Sequence, residues 1–239
     1  MIINIYGSTG VIGKKTLELI DKNFSKIKVN LLCANSNINL IIKQIKKHKP
    51  KYVYLDNIKS SNTLKLKVNK NVKVLSYDEL NLYLKSSISD LSILAISGYK
   101  SLYFFEQILN NTNNLGIVSK EVIVSAGHLL RNKNYLNKTN IFPLDSEHFS
   151  LFESFNSLIL DKKIKSIVLT ASGGPFYKSK FKNLQKISFE KAIKHPKWKM
   201  GYKNSIDSAT MANKCLEIIE AHYLFNIPFD KIKILIHPE

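Results

Sequence analysis

Short apolar runs alternate with amphipathic stretches from the first residues. "IINIY" (2–6) reads as a strand, and "GVIGKKTLELIDKN" opens a helix whose apolar positions include Ile12, Leu17 and Ile20. "IKVNLLCA" (27–34) is a second strand, followed by the amphipathic "INLIIKQIKKH". "KYVYL", "VKVLS", "LSILAIS" (91–97), "LGIVS" (115–119) and "TNIFPL" (139–144) continue the series. Near-continuous apolar strands alternating with helical patterns predict a parallel sheet covered on both faces. The pattern changes near residue 145. "KIKSIVLTAS" (163–172) is a strand running into a Gly-Gly-Pro loop; a loop-rich stretch to about residue 204 and one long helix over 204–225 follow. No Pro/Gly-rich linker and no internal repeat interrupts the chain, so the expected boundary is soft, between 1–145 and 146–239.

Composition changes this picture little. No apolar run approaches the ~18–20 residues needed to cross a bilayer. The first residues lead directly into a strand, so no signal or transit peptide is expected. The only cysteines, Cys33 and Cys215, are far apart and outside any C-x-x-C pattern. Disulfide scaffolds and zinc knuckles are therefore not expected, and a reducing, cytoplasmic compartment fits. A formal net charge of +18 raises nucleic-acid binding, but Arg131 is the sole arginine and the lysines are spread through every segment. Arginine is the residue that reads guanine edges and grips phosphates bidentately, so its near absence argues against specific recognition. Abundant Asn and Ile fit compositional drift in a low-GC genome.

Chemistry first appears at Gly7-Ser8-Thr9-Gly10-Val11-Ile12-Gly13, directly after the first strand. Glycines at such a turn let the backbone approach a pyrophosphate, which meets free N–H groups at a helix N-terminus. The spacing G-x-x-G-x-x-G is a variant of the dinucleotide fingerprint in its expected strand–turn–helix context. The second strand ends Cys33-Ala34-Asn35-Ser36-Asn37, without the acid that would hold an NAD ribose, and without an obvious cation for a 2′-phosphate. NADP is the expected cofactor. No Y-x-x-x-K occurs, which removes a short-chain dehydrogenase.

The second half adds "TASGGPF" (170–176), where small residues at a strand end can cradle an anion. "HPKWKMG" (195–201) joins His195 to the only tryptophan, Trp198. On the helix of "NSIDSATMANKCLEIIEAHYLF" (204–225), Ser205 and Asp207 read as caps. Asn213 and Lys214 lie i−4 and i−3 to Glu217, so the three share one side. Ser208 can join them only from the helix N-terminus, where open N–H groups would also receive a phosphate. The bland reading of these residues is an ion pair on a wet helix face.

GSTGxIG, "SKE" (119–121), "DSEH" (145–148), "SGGPF", "HPKWKMG" and "DSATMANKCLE", in that order, strongly resemble the 1-deoxy-D-xylulose 5-phosphate reductoisomerase family, from residue 3 to the C-terminus. The resemblance implies an α/β fold: a Rossmann-like parallel-sheet NADP-binding domain over 1–145, then an incomplete α/β (α+β) catalytic domain over 146–239. It implies NADPH-dependent rearrangement and reduction of 1-deoxy-D-xylulose 5-phosphate to 2-C-methyl-D-erythritol 4-phosphate for isoprenoid precursors. Asp145, Glu147 and Glu217 fall on the ligands of one divalent cation, Mg²⁺ or Mn²⁺. Lys120 and Ser146 fall on substrate contacts, as does Glu147. Ser172, Ser208, Asn213 and Lys214 match the phosphate pocket, and His195, Trp198 and Met200 a flap that closes over the substrate. Lys120, His195 and Trp198 are the catalytic candidates. Gly7, Thr9, Gly10, Val11, Ile12, Gly13, Asn37, Ser119, Glu121, Met200 and Gly201 are the candidates for holding NADPH. A homodimer is implied, and neither membrane nor nucleic acid is.

The chain departs from the family pattern at Ala34-Asn35-Ser36-Asn37 (usually A-G-K-N), at Val118-Ser119-Lys120-Glu121 (usually A-N-K-E) and at Gly98-Tyr99-Lys100-Ser101-Leu102 (usually G-x-A-G-L). It also stops at "LIHPE", where the family continues into a C-terminal helical domain. The alternative to an active enzyme is a remnant that binds NADPH or sugar phosphate without turnover.

Overall fold

Each early strand is short and apolar on both sides, and burying both sides requires a helix above and below. In the computed structural model, which describes residues 1–24, 26–131, 138–157, 164–179, 187–194 and 202–237, this produces a wholly parallel seven-stranded sheet. Its strands are β1 (Ile2–Tyr6), β2 (Lys28–Ala34), β3 (Tyr52–Leu55), β4 (Lys73–Leu75), β5 (Ser89–Leu94), β6 (Thr112–Ile117) and β7 (Asn140–Pro143). The order is β4-β3-β2-β1-β5-β6-β7. Growth reverses between β1 and β5, and a doubly wound sheet binds its ligands at the carboxyl ends of the strands around that point.

The connecting helices are α1 (Val11–Asn23), α2 (Ile38–His48), α3 (Ile58–Lys67), α4 (Tyr77–Ser86), α5 (Leu102–Asn110) and α6 (Lys120–Ala126). Leu17 and Ile20 of α1, Ile41 and Ile45 of α2 and Leu64 of α3 close one core with Ile3, Ile5, Leu32, Val53 and Leu55. Turn chemistry sets several helix starts. Asn37 and Asn57 accept hydrogen bonds from Leu40 N and Ser60 N, and Ser76 with Glu79 forms a full capping box at α4.

The chain divides into two compact units, Met1–Asp145 and Ser146–Glu239. In the second, α7 (Ser146–Ser157) is followed by β8 (Ile167–Ala171), the short α8 (Phe189–Ala192), α9 (Tyr202–Ala209), α10 (Ala212–Phe225) and β9 (Ile232–Ile236). β8 and β9 pair in parallel, in register from Ile167↔Ile232 to Ala171↔Ile236. A small core of Ile167, Leu169, Ala221, Ile227 and Ile232 lies between this ribbon and α10.

Three expectations change. The single helix over 204–225 is two helices, broken at Met211, whose φ of 62° is left-handed. Its neighbour in the fold gives the cause: a Cβ on Gly174 would stand 2.6 Å from Ser208 O and 3.3 Å from Ala209 Cα. The end of α9 is pressed against the glycine loop, and the chain turns away there. Ser205 and Asp207 are therefore not caps. Ser205 is buried inside α9, and Asp207 accepts a 2.5 Å bond from Lys203 one turn earlier. Finally, β5 and β6 begin earlier than their apolar runs, because Ser89 Oγ bonds both Ser92 Oγ and Thr112 Oγ1, which hides polar side chains inside the sheet; both strands also end earlier, at Leu94 and Ile117.

Candidate active site

In the first unit the site begins at the β1–α1 turn. Gly7 has φ 94°, and a Cβ there would lie 2.4 Å from Ala95 O. At Gly13 a Cβ would lie 2.3 Å from Gly7 O, so the helix can pack on its own turn only through a hydrogen. α1 starts at the N-cap Gly10 with no side-chain cap and no acid in its first turn, leaving its first N–H groups to an outside acceptor. Thr9 and Ile12 are half-buried, while Gly10 and Val11 are exposed. The cradle is held from below by two residues that sequence reading passed over. Buried Ser8 donates to Gln44 Oε1 (2.9 Å), and Gln44 Nε2 donates back to Ser8 O (2.8 Å). The only available signal was a glutamine on the apolar face of α2.

Asn37 caps α2, so its side-chain oxygen already has a structural task. Ser119 is the N-cap position of α6 and donates its hydroxyl to Ile96 O, which ties α6 to the β5 loop; Glu121 is half-buried in the first turn. Lys120 is buried and its ammonium is paired with Asp145, the last residue of this unit.

In the second unit α7 and α10 bring charged residues together. Lys214 and Glu217 are 4% and 1% exposed, so the wet-face reading does not hold. Lys214 Nζ donates to Glu217 Oε2 and, at 3.3 Å, to Glu147 Oε1. Asn213 Nδ2 donates to the other Glu217 oxygen, and Ser146 Oγ donates to Glu147 Oε2 at 2.6 Å. Two carboxylates thus share one ammonium in a poorly solvated place, where unpaired charge is costly.

Sequence reading also missed His148 and Glu220 as a pair. The His148 ring is fully buried; its Nε2 lies 2.9 Å from Glu217 O, and its Nδ1 lies 3.8 Å from Glu220 Oε2. A carbonyl can only accept, so Nε2 carries a proton. The available hint was spacing: Glu220 is one turn beyond Glu217, and His148 directly follows Glu147.

The glycine loop after β8 has Gly173 and Gly174 at φ 81° and 72°, and Gly174 N donates to Ser172 Oγ at 3.3 Å. Ser208 stands at the C-terminal end of α9 rather than at the N-terminus of a longer helix, and its carbonyl accepts from Met211 N at 3.2 Å. α10, which carries Asn213 and Lys214, starts just beyond. His195, Trp198, Met200 and Gly201 lie outside the described residues.

An all-oxygen set of carboxylates suits a hard divalent cation. Asp145, Glu147 and Glu217 each face a lysine ammonium, which marks positions where positive charge is required. The β1–α1 cradle suits a dinucleotide pyrophosphate, since α1 begins there with no side-chain cap and no acid in its first turn.

Comparison with known proteins identifies the family. The family model described as 1-deoxy-D-xylulose 5-phosphate reductoisomerase matches residues 3–127, and that of its C-terminal domain matches residues 141–225. The reductoisomerase of Thermodesulfovibrio yellowstonii is 40% identical over 236 residues, 98% of this chain and 61% of that protein. That of Wolbachia pipientis wMel is 40% identical over 238 residues, 99% and 60%. A crystal structure of DOX-P reductoisomerase with NADPH, fosmidomycin and magnesium superposes at a TM-score of 0.88 and 31% identity, covering 100% of this chain and 61% of that one. The Zymomonas mobilis enzyme with NADPH gives 0.85 and 32%, covering 99% and 61%. The chain spans about three-fifths of the length of the curated relatives it matches. Two family models that follow one another along the sequence, the first matching more than half of the chain, establish that it belongs to the 1-deoxy-D-xylulose 5-phosphate reductoisomerase family.

Proposed function

We propose that the chain carries out the family reaction: NADPH-dependent, metal-requiring conversion of 1-deoxy-D-xylulose 5-phosphate to 2-C-methyl-D-erythritol 4-phosphate, supplying isoprenoid precursors by the non-mevalonate route. The observation that carries this reading is buried Lys214 and Glu217 joined to half-buried Glu147, with Asn213 and Ser146 hydrogen-bonded to the two carboxylates. Asp145, Glu147 and Glu217 would hold Mg²⁺ or Mn²⁺, and the β1–α1 cradle would hold NADPH. Bound there, the cation would polarise the substrate's carbonyl and hydroxyl oxygens for C–C cleavage and rejoining, and NADPH would supply hydride to the rearranged aldehyde.

The chain's own residues bind and orient. Lys120 and Ser146 hold the substrate backbone. Ser172, Ser208, Asn213 and Lys214 receive its phosphate, beside the two positive-φ glycines of the loop after β8. Lys214 would then exchange its carboxylate partners for the phosphate as the cation takes over their charge. His195, Trp198 and Met200 belong to a segment that would close and exclude water. The working form would be a homodimer in a reducing, cytoplasmic compartment, which suits two cysteines that are both free.

The test is NADPH oxidation followed at 340 nm. The proposal requires oxidation that depends on both Mn²⁺ and deoxyxylulose phosphate. Calorimetric binding of substrate and NADPH without turnover would instead support the binding-only remnant.

A further inference from the structure

The end of β2 has neither an acid for a ribose hydroxyl nor a cation for a 2′-phosphate, yet in a doubly wound sheet this position decides between the two nicotinamide dinucleotides. Asn35, Ser36 and Asn37 are exposed and uncharged. The tertiary structure brings a cation there from another loop.

The end of β3 is fastened to the end of β2: Asp56 N donates to Ala34 O and Asn57 N to Asn35 O, each at 3.0 Å. The Asp56 carboxylate accepts the Tyr54 hydroxyl at 3.3 Å on one oxygen and Lys100 Nζ at 2.5 Å on the other. Lys100 belongs to the β5–α5 connection, which turns at Gly98 with φ 83°. Its backbone is fixed on both sides. Ser101 is fully buried and donates to Gly98 O at 2.7 Å, while Phe104 of α5 stands edge-on to Tyr54 with ring centroids 6.0 Å apart. The lysine is thus delivered to the carboxyl end of β2 and β3 by ordered structure.

We propose that Lys100 is a specificity-determining residue: it supplies the cation for an adenosine 2′-phosphate at the end of β2, and Asp56 holds it in place until that phosphate arrives. The proposal rests on the NADPH reading above and adds the residue through which NADPH is preferred to NADH. The Lys100 and Asp56 side chains are 47% and 35% exposed, so their pair is solvent-screened and contributes little by itself. A phosphate near its dianion offers the ammonium more charge and more acceptor oxygens than one carboxylate. Exchange of partners is therefore favourable for NADP and has no counterpart for NAD. The competing role belongs to Asp56, whose carboxylate could accept a free ribose 2′-hydroxyl and favour NAD.

Calorimetry on the full chain distinguishes these, using NADPH, NADH, 2′,5′-ADP and 5′-AMP as ligands. Lys100→Met is expected to weaken NADPH and 2′,5′-ADP by about tenfold, the loss of one charge-assisted contact, with NADH and 5′-AMP unchanged. Lys100→Arg should restore the preference. Asp56→Asn should keep or tighten NADPH binding by releasing the lysine. The proposal is overturned if Lys100→Met weakens NADPH and NADH equally or neither, or if Asp56→Asn selectively weakens NADH and 5′-AMP. A wild-type chain that binds neither dinucleotide overturns the underlying cofactor reading, and this proposal with it.

Discussion

The two units present reactive groups in opposite ways. In the first, seven parallel strands and their helices form a broad core, and the groups that would meet a cofactor sit on turns at the strand ends: Gly7 to Gly13, Asn37 and Ser119. In the second, the sheet has two strands among the described residues, and its core contains Ala221 of α10. That same helix carries Asn213, Lys214, Glu217 and Glu220. Those turns lie outside the apolar core of their unit, whereas α10 must hold the ribbon on one side and charged groups on the other. The second unit therefore has less reserve against substitution, and its site and its stability are coupled.

Leu169→Ala tests that difference most severely. Leu169 is buried in the small core, and a cavity there costs roughly 3–4 kcal/mol. Loss of second-unit structure is expected while the first unit persists. The two cysteines report this separately, since Cys33 is buried in β2, where burial pushes its thiol pKa well up, while Cys215 is exposed on α10. Alkylation of Cys33 should remain slow in the variant. If it accelerates to match the unfolded chain, the two units unfold as one and the contrast fails.

Glu217→Gln keeps the shape of the side chain and removes its charge. Mn²⁺ binding, followed by electron paramagnetic resonance, should weaken by about a hundredfold, and the melting temperature of the second unit should fall as well, because buried Lys214 keeps only the half-buried Glu147. Unchanged Mn²⁺ affinity would refute the assignment of Glu217.

Gly13→Ala probes the first unit, where the added Cβ meets Gly7 O at 2.3 Å. Relieving that overlap should cost about 1–2 kcal/mol in a denaturant melt, and NADPH binding should weaken as the turn shifts. An alanine variant with wild-type stability and affinity would show the cradle to be less rigid than its packing implies.

Lys203→Ala is the mild control. Its partner Asp207 is one turn away on α9, and Lys203 is largely exposed, so the pair should be worth only about 0.3–0.5 kcal/mol. A substantially larger loss would mean that α9 depends on this pair as α10 depends on Lys214.

The sequence was most legible where a single periodicity governed packing. The strand–helix alternation of the first unit and the bounds of α2 follow directly from apolar spacing and an Asn cap. It was least legible where the determining contact came from a distant segment. The break at Met211 has no local Gly or Pro; it reflects the approach of Gly174 to Ser208. The starts of β5 and β6 depend on serine and threonine hydroxyls satisfying one another across strands. For the site, spacing showed that Asn213, Lys214 and Glu217 share a face, but not that the face is buried. His148 and Glu220 come together only through the packing of α7 with α10; spacing sets them beside Glu147 and Glu217 but does not pair them.

The glycines of the β1–α1 turn also limit how this sequence can evolve. Lysine, asparagine and isoleucine are abundant, and only nine glycines occur in 239 residues. Any missense change in a glycine codon introduces a Cβ, and at Gly7 and Gly13 that atom would lie 2.4 and 2.3 Å from a backbone carbonyl oxygen, so the turn itself must shift. Mutational bias can exchange one surface residue for another at little cost. At these two codons it meets a physical barrier, so they should mark how much nucleotide drift a lineage tolerates before the fold itself removes its carriers.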